Sequence, residues 1–269
     1  MTLLTTPAPL LHKLTAGALA ALLAVVTGLP VQDEIRAQQW HLDFLNIEQV
    51  HQISTGDGVI VGIIDTGVDG EHPDLAGRLL PGIDLTYRER HDALEDPDGH
   101  GTAMAGLIAA HGHALGIAPD ATILPVRTTT TSALGDLRTD AEGIVWAVDH
   151  GATVLCLAFA HPRPNTVLEQ AIQYALAHDV VVIAAVGNAP DDSGLVYPAA
   201  YPGVVGAAAV DRDGNHAGFS VVSPAADLAA PAVGTMSLLP RNVDPTGYGR
   251  GSGTSDATAI IAGVAALIR

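Results

Sequence analysis

Cysteine is almost missing from this chain. Cys156 is the only one in 269 residues, so no internal disulfide can form and no C-x-x-C metal or redox motif exists. It sits in the apolar run "ATVLCLAFA", which predicts a buried, inert thiol. Lysine is equally scarce: Lys13 stands alone, and 29 acidic residues against 12 basic ones leave a formal net charge of −17. A chain this acidic repels phosphate backbones, which argues against nucleic acid as a partner. Charged residues make up 15%, too few for a disordered chain, while the 48% hydrophobic content can fill a sizeable core. Repeats, low-complexity tracts and linkers are absent too, so the length suits one large domain.

What is present begins with an address. In "LHKLTAGALAALLAVVTGLP", Lys13 precedes an apolar stretch over residues 14–29, with no charged residue on any helical face. This resembles the charged and hydrophobic regions of a signal peptide, and it falls short of the roughly 20 apolar residues of a spanning helix. With no clean small-x-small cleavage site behind it, an uncleaved anchor is the alternative. Residues 1–37 are therefore read as a signal peptide or N-terminal anchor with a short linker, and residues 38–269 as the working domain of an exported protein, secreted or tethered at the outer face of the cytoplasmic membrane.

From Gln38 onward, short apolar runs alternate with helical stretches. "GVIVGIID", "ATILPVRT", "ATVLCLAFA", "VVVIAAVGN" and "PGVVGAAAV" read as strands buried on both faces. "GTAMAGLIAA", "TDAEGIVWAVDHG" and "NTVLEQAIQYALAHD" read as helices, the second with Asp140 as its N-cap and Gly151 as its stop. The alternation predicts an α/β fold with a central, mostly parallel sheet and helices on both faces. In such sheets functional groups gather at the C-terminal ends of the strands.

Three residues fall where that architecture makes them useful. Asp65 closes the first strong strand; His100 in "DPDGHGTAMAG" and Ser255 in "GSGTSDATA" each stand where a Gly-rich turn runs into a helix. Singly these are an ordinary turn former, a structural histidine and a helix cap. Together they supply an orienting acid, a base and a nucleophile, backed by small residues that permit close backbone approach.

These motifs, in this order, resemble the subtilases, the subtilisin-type serine proteases. "GIIDTGVDGEHPDL" is similar to the family's Asp segment, "GHGTAMAG" to its His segment and "GTSDATA" to its Ser segment; "VVVIAAVGNAP" is similar to the segment bearing the oxyanion asparagine. The resemblance runs over residues 39–269. It implies the subtilisin-like three-layer fold, a polypeptide substrate, a monomer and no cofactor. It also implies roles: Ser255 as nucleophile, His100 as general base and acid, Asp65 as its orienting partner, and Asn188 with the Ser255 N–H as oxyanion donors. Ala158, Phe159, Ala160 and Gly187 fall where the family binds substrate.

Departures from the pattern are informative. The family's Ser-x-Gly in the substrate-binding strand is Ala158-Phe159-Ala160 here, with Phe159 flooring a pocket or packing in the core. Its proline four residues after the serine is Ala259. The loop "LIAAHGHALGIAP" is too short for the strong calcium site, so no metal is expected; Asp74 resembles one of its ligands, and one ligand makes no site. His111 and His113 are read as a solvated loop. The segment "QQWHLDFLNIEQVHQISTGDGV" and the short, calcium-poor core are most similar to the mycosins, subtilases associated with type VII secretion. The chain stops at Arg269, soon after the nucleophile helix, and Asp256 directly follows the serine. With Ala158 and Ala160, these features support a rival reading, a catalytically impaired subtilase-fold protein that binds or scaffolds a partner of a secretion system. An esterase of the α/β-hydrolase type is disfavoured, because its acid and histidine follow the serine in the chain, whereas here both precede it.

Overall fold

The computed structural model describes residues 32–87, 91–132 and 135–269. The apolar N-terminal stretch, and with it most of the leader read from the sequence, lies outside the described residues. Three short helices, α1 (Gln32–Arg36), α2 (Trp40–Phe44) and α3 (Ile47–Val50), lead into the first strand. Seven strands then form one sheet: β1 (Ile60–Asp65), β2 (Ile83–Asp84), β3 (Thr122–Arg127), β4 (Val154–Leu157), β5 (Val181–Ala185), β6 (Val205–Val210) and β7 (Leu228–Pro231). Their order is β2-β3-β1-β4-β5-β6-β7, and every neighbouring pair runs parallel.

Parallel strands need long crossovers, and helices provide four of the long segments that cover the sheet. α4 (His100–Ala109) follows β2, α5 (Leu137–Asp149) follows β3, α6 (Thr166–Ala177) follows β4, and α7 (Thr254–Ile268) ends the chain. The strand side chains alternate between the two cores as the pleat requires. Val61, Ile63, Val154 and Cys156 join the layer of α4 and α7, with Ile108 and Ile260. Ile64, Leu155, Leu157 and Val182 join the layer of α5 and α6, with Ile144 and Ile172. This is the α/β, three-layer architecture expected from the sequence. Cys156 is wholly buried, and burial, reinforced by the Asp65 carboxylate, pushes its thiol well above the ordinary range.

The order places the topological switch between β1 and β4. The chain leaves β1 towards β3 and β2 on one side, then returns to β1's other side as β4 and proceeds outward. Adjacent loops diverge at such a point and open a crevice at the strands' C-terminal ends. Asp65 is the last residue of β1, and residues 158–160 follow the last residue of β4.

Two readings need correction. The N-cap of α5 is Asp136, whose carboxylate accepts from the Arg138 N–H at 2.8 Å. Asp140 lies one turn inside that helix, buried, where its carboxylate meets His161 Nε2 at 3.3 Å. An inward-facing carboxylate with a histidine partner has no need of the helix-end N–H groups, and the exposed Asp136 is free to take them. The strand read in "ATVLCLAFA" ends at Leu157, so residues 158–160 are irregular backbone rather than strand. The sequence patterns also left unread the antiparallel hairpin of β8 (Val233–Leu238) and β9 (Tyr248–Ser252) that delivers the chain to α7.

Candidate active site

The site is wired from both ends of the crevice. His100 opens α4, and its Nδ1 lies 2.8 and 2.9 Å from the two carboxylate oxygens of Asp65. The Thr66 N–H donates to Asp65 Oδ1 at 2.8 Å and fixes the carboxylate's rotation. The pairing is held in register by a buried carboxylate that the motif reading passed over, Asp96. Its Oδ2 accepts from the Thr102 N–H (2.9 Å) and hydroxyl (2.6 Å), and its Oδ1 accepts from the Gly99 N–H and the Thr66 hydroxyl, both at 2.8 Å. Asp96 thus takes the orphan N–H groups of the α4 terminus, which Gly99 as N-cap residue cannot. Thr66 closes the circuit, since its oxygen also accepts from the Gly101 N–H at 3.0 Å. The signal was present as an aspartate four residues before the histidine, in "EDPDGHG".

On the opposite wall, Ser255 lies in the first turn of α7, half-buried, and its hydroxyl donates to the Ala158 carbonyl at 3.0 Å. Asn188 follows β5. Its Oδ1 accepts from the Thr254 N–H at 2.9 Å and the Thr254 hydroxyl at 3.2 Å, which leaves its amide N–H groups free for the cavity. A Cβ built on Gly253 would sit 3.6 Å from the Ser255 nitrogen and 3.7 Å from Asn188 Nδ2. The two donors therefore flank one spot, which the missing side chain keeps open. Gly187 has φ +92°, and a Cβ there would strike Asp192 at 2.7 Å. Asp192 in turn accepts the Asn188 N–H at 2.8 Å, so this turn is braced beneath the amide.

His100, Ser255, Asn188, Gly187 and residues 158–160 all line a single cavity of about 320 Å³. The structure thus brings together every site residue read from the sequence. Phe159 lines this cavity and also packs edge-on against His161, ring centroids 5.4 Å apart. Ala259 is wholly buried within α7, where an intact N–H suits a helix interior.

Charge in the crevice is one-sided. Burial pulls the His100 pKa down, but the Asp65 carboxylate, with Asp256 and Asp98 behind it, outweighs that and raises it to about 9. Asp256 is buried near this histidine and accepts a hydrogen bond from the Thr235 hydroxyl. Burial raises its carboxyl to about 6, against the opposing pull of Thr235 and His100. Asp256 is thus more than a charge at a helix end.

Asp74 anchors a loop. Its Oδ2 accepts from the Ala114 N–H at 2.8 Å and from the Tyr248 hydroxyl at 3.1 Å. His111 on that loop is exposed and His113 half-buried against the Tyr248 ring.

A histidine held by a carboxylate, a serine at a helix N-terminus and a converging amide, all at the switch point of a parallel sheet, make the class of centre that serine hydrolases use. Comparison with known proteins is more specific. The family described as the subtilase family matches residues 56–269. Thermitase of Thermoactinomyces vulgaris is 36% identical over 236 residues, covering 86% of this chain and 82% of thermitase. Fervidolysin of Fervidobacterium pennivorans is 36% identical over 232 residues, 80% of this chain but only 33% of fervidolysin, so the chain spans a third of that relative's length. The solved structure of the MycP3 protease from the type VII (ESX-3) secretion system superimposes with a TM-score of 0.74 at 30% identity, over 86% of this chain and 76% of that one. The chain belongs to the subtilase family.

Proposed function

We propose that the chain is a serine endopeptidase that hydrolyses peptide bonds through Asp65, His100 and Ser255. The observation that carries this is the convergence of the His100–Asp65 pair, the Ser255 hydroxyl and the free Asn188 amide on one cavity. In the first half-reaction, Ser255 Oγ bonds to the substrate's carbonyl carbon while its proton passes to His100 Nε2. The carbonyl oxygen becomes an oxyanion and takes hydrogen bonds from Asn188 Nδ2 and the Ser255 N–H. Collapse breaks the C–N bond, and His100 returns the proton to the departing amine. Water then repeats the sequence on the acyl-enzyme and frees the acid and Ser255. The two donors act at the N-terminus of the 15-residue α7, whose dipole favours negative charge at that point.

The Ser255 hydroxyl rests on the Ala158 carbonyl, so the cycle begins with its rotation towards His100. Substrate backbone laid against residues 158–160 competes for that carbonyl and promotes the turn. The apolar stretch of the leader supports action outside the cytoplasm, and the likeness to MycP3 supports a place beside a secretion apparatus. Labelling with a fluorophosphonate tests the chemistry, because only an activated serine reacts. The native chain should label, and Ser255→Ala should abolish labelling without changing the far-ultraviolet circular dichroism. Equal labelling of the variant would assign the nucleophile elsewhere. An unlabelled native chain that still binds peptides would be a scaffold.

A further inference from the structure

Resting on the endopeptidase reading, we propose that the cavity beside Ser255 selects a cationic side chain, arginine or lysine, on the residue whose carbonyl is attacked. The cavity that holds Ser255 has a mixed lining. Ala158, Phe159, Ala160 and Ala185 give it aliphatic and aromatic walls. Two adjacent carboxylates, Asp191 and Asp192, line it as well. Neither arginine nor lysine is among the described residues lining the cavity; its one basic side chain there is His100, which is already paired with Asp65. Of the carboxylates' four oxygens, Asp192 Oδ2 accepts the Asn188 N–H at 2.8 Å, which orients the Asp192 side chain.

This mixed lining fits a long side chain with an apolar stem and a charged head. The methylenes lie on the alanines and the Phe159 ring while the head reaches the carboxylates, as such side chains do at other apolar–polar boundaries. An arginine head gains paired, charge-assisted hydrogen bonds. A phenylalanine or leucine would use the apolar walls but gain nothing from the carboxylates, of which Asp191 is exposed and Asp192 half-buried. A glutamate would meet them as a like charge. The field of the whole molecule points the same way, since a net charge of −17 draws cationic peptides towards the crevice.

The test uses peptide substrates identical except at that residue: arginine, lysine, methionine, phenylalanine or glutamate. The arginine and lysine peptides should show kcat/KM at least about tenfold above methionine, the uncharged residue of similar length, and glutamate should be poorest. The arginine-to-methionine ratio should fall on adding salt and fall several-fold in Asp191→Asn and in Asp192→Asn, the second of which keeps an acceptor for the Asn188 N–H. A ratio near one, or phenylalanine preferred, overturns the assignment while leaving the endopeptidase standing. Binding of the same peptides to the Ser255→Ala chain, read by fluorescence anisotropy, separates the two ideas. Tighter arginine binding with no turnover by the native chain upholds the pocket and removes the protease, whereas equal binding of arginine and methionine peptides removes the pocket.

Discussion

In the mechanism proposed above, the charge around His100 sets how fast the chain works at a given pH. With the ring's pKa raised to about 9, only about one molecule in a hundred carries a neutral base at pH 7. kcat/KM should therefore climb about tenfold per pH unit from 7 towards 9 and level off beyond it. Asp256 is the lever on this limb. It is buried near His100, and its own carboxyl, at about 6, is ionised across the whole rise. Asp256→Asn keeps the volume and leaves a side-chain oxygen to accept the Thr235 hydroxyl, while removing the charge. The direct partner Asp65 remains, so the limb should move to lower pH by about half to one unit, raising kcat/KM at pH 7 about three- to tenfold and leaving the alkaline plateau in place. The assay is kcat/KM across pH 5–10, which reports the free enzyme's base.

Stability supplies a second readout with its own sign. A folded-state pKa above the ordinary value of 3.8 means that Asp256 favours the folded state below about pH 4, and this contribution is lost as pH rises through about 6. His100 favours folding fully below 6.5 and loses that contribution as pH rises through about 9. Asp256→Asn should abolish the loss between pH 4 and 6 and move the alkaline loss to lower pH. A limb that stays near 9 in the variant, or one that lies near 6.5 in the parent, refutes the electrostatic argument.

Other perturbations probe the rest of the site. Asn188→Ala removes a proposed oxyanion donor and should cut kcat by about 10²–10³ with KM little changed; a pure KM effect would make Asn188 a binding residue. Asp96→Ala strands the buried N–H groups of Gly99 and Thr102, and should cost at least about 3 kcal/mol in urea unfolding. A cost below 1 kcal/mol would show that other groups hold the start of α4. Chelation of divalent cations should move Tm by less than about 2 °C, since the Asp74 carboxylate is engaged by Ala114 and Tyr248. A larger drop would reveal a bound ion.

Most of the architecture was legible because its signals are local. A strand buried on both faces must be a short run such as "GVIVGIID", and a helix between such runs commits the chain to a parallel sheet whose strand ends carry the chemistry. That was enough to single out Asp65, His100 and Ser255 from their turns and neighbours, while Asn188 came from the resemblance of "VVVIAAVGNAP" to the family's segment. Distance in the chain hid the rest. Asp140 passed for a helix cap because its partner, His161, lies 21 residues away, and only folding turns it inward. Asp96 was passed over because only the fold brings Thr66 and Thr102 against it. The adjacency of Asp256 to Ser255 was plain in the sequence, but its buried place near His100, and the Thr235 hydroxyl that holds it, came from packing β8 against the start of α7. Residue types and their local order determine which groups are available. Burial and the meeting of distant segments decide which of them share a hydrogen bond, and so which pKa values move.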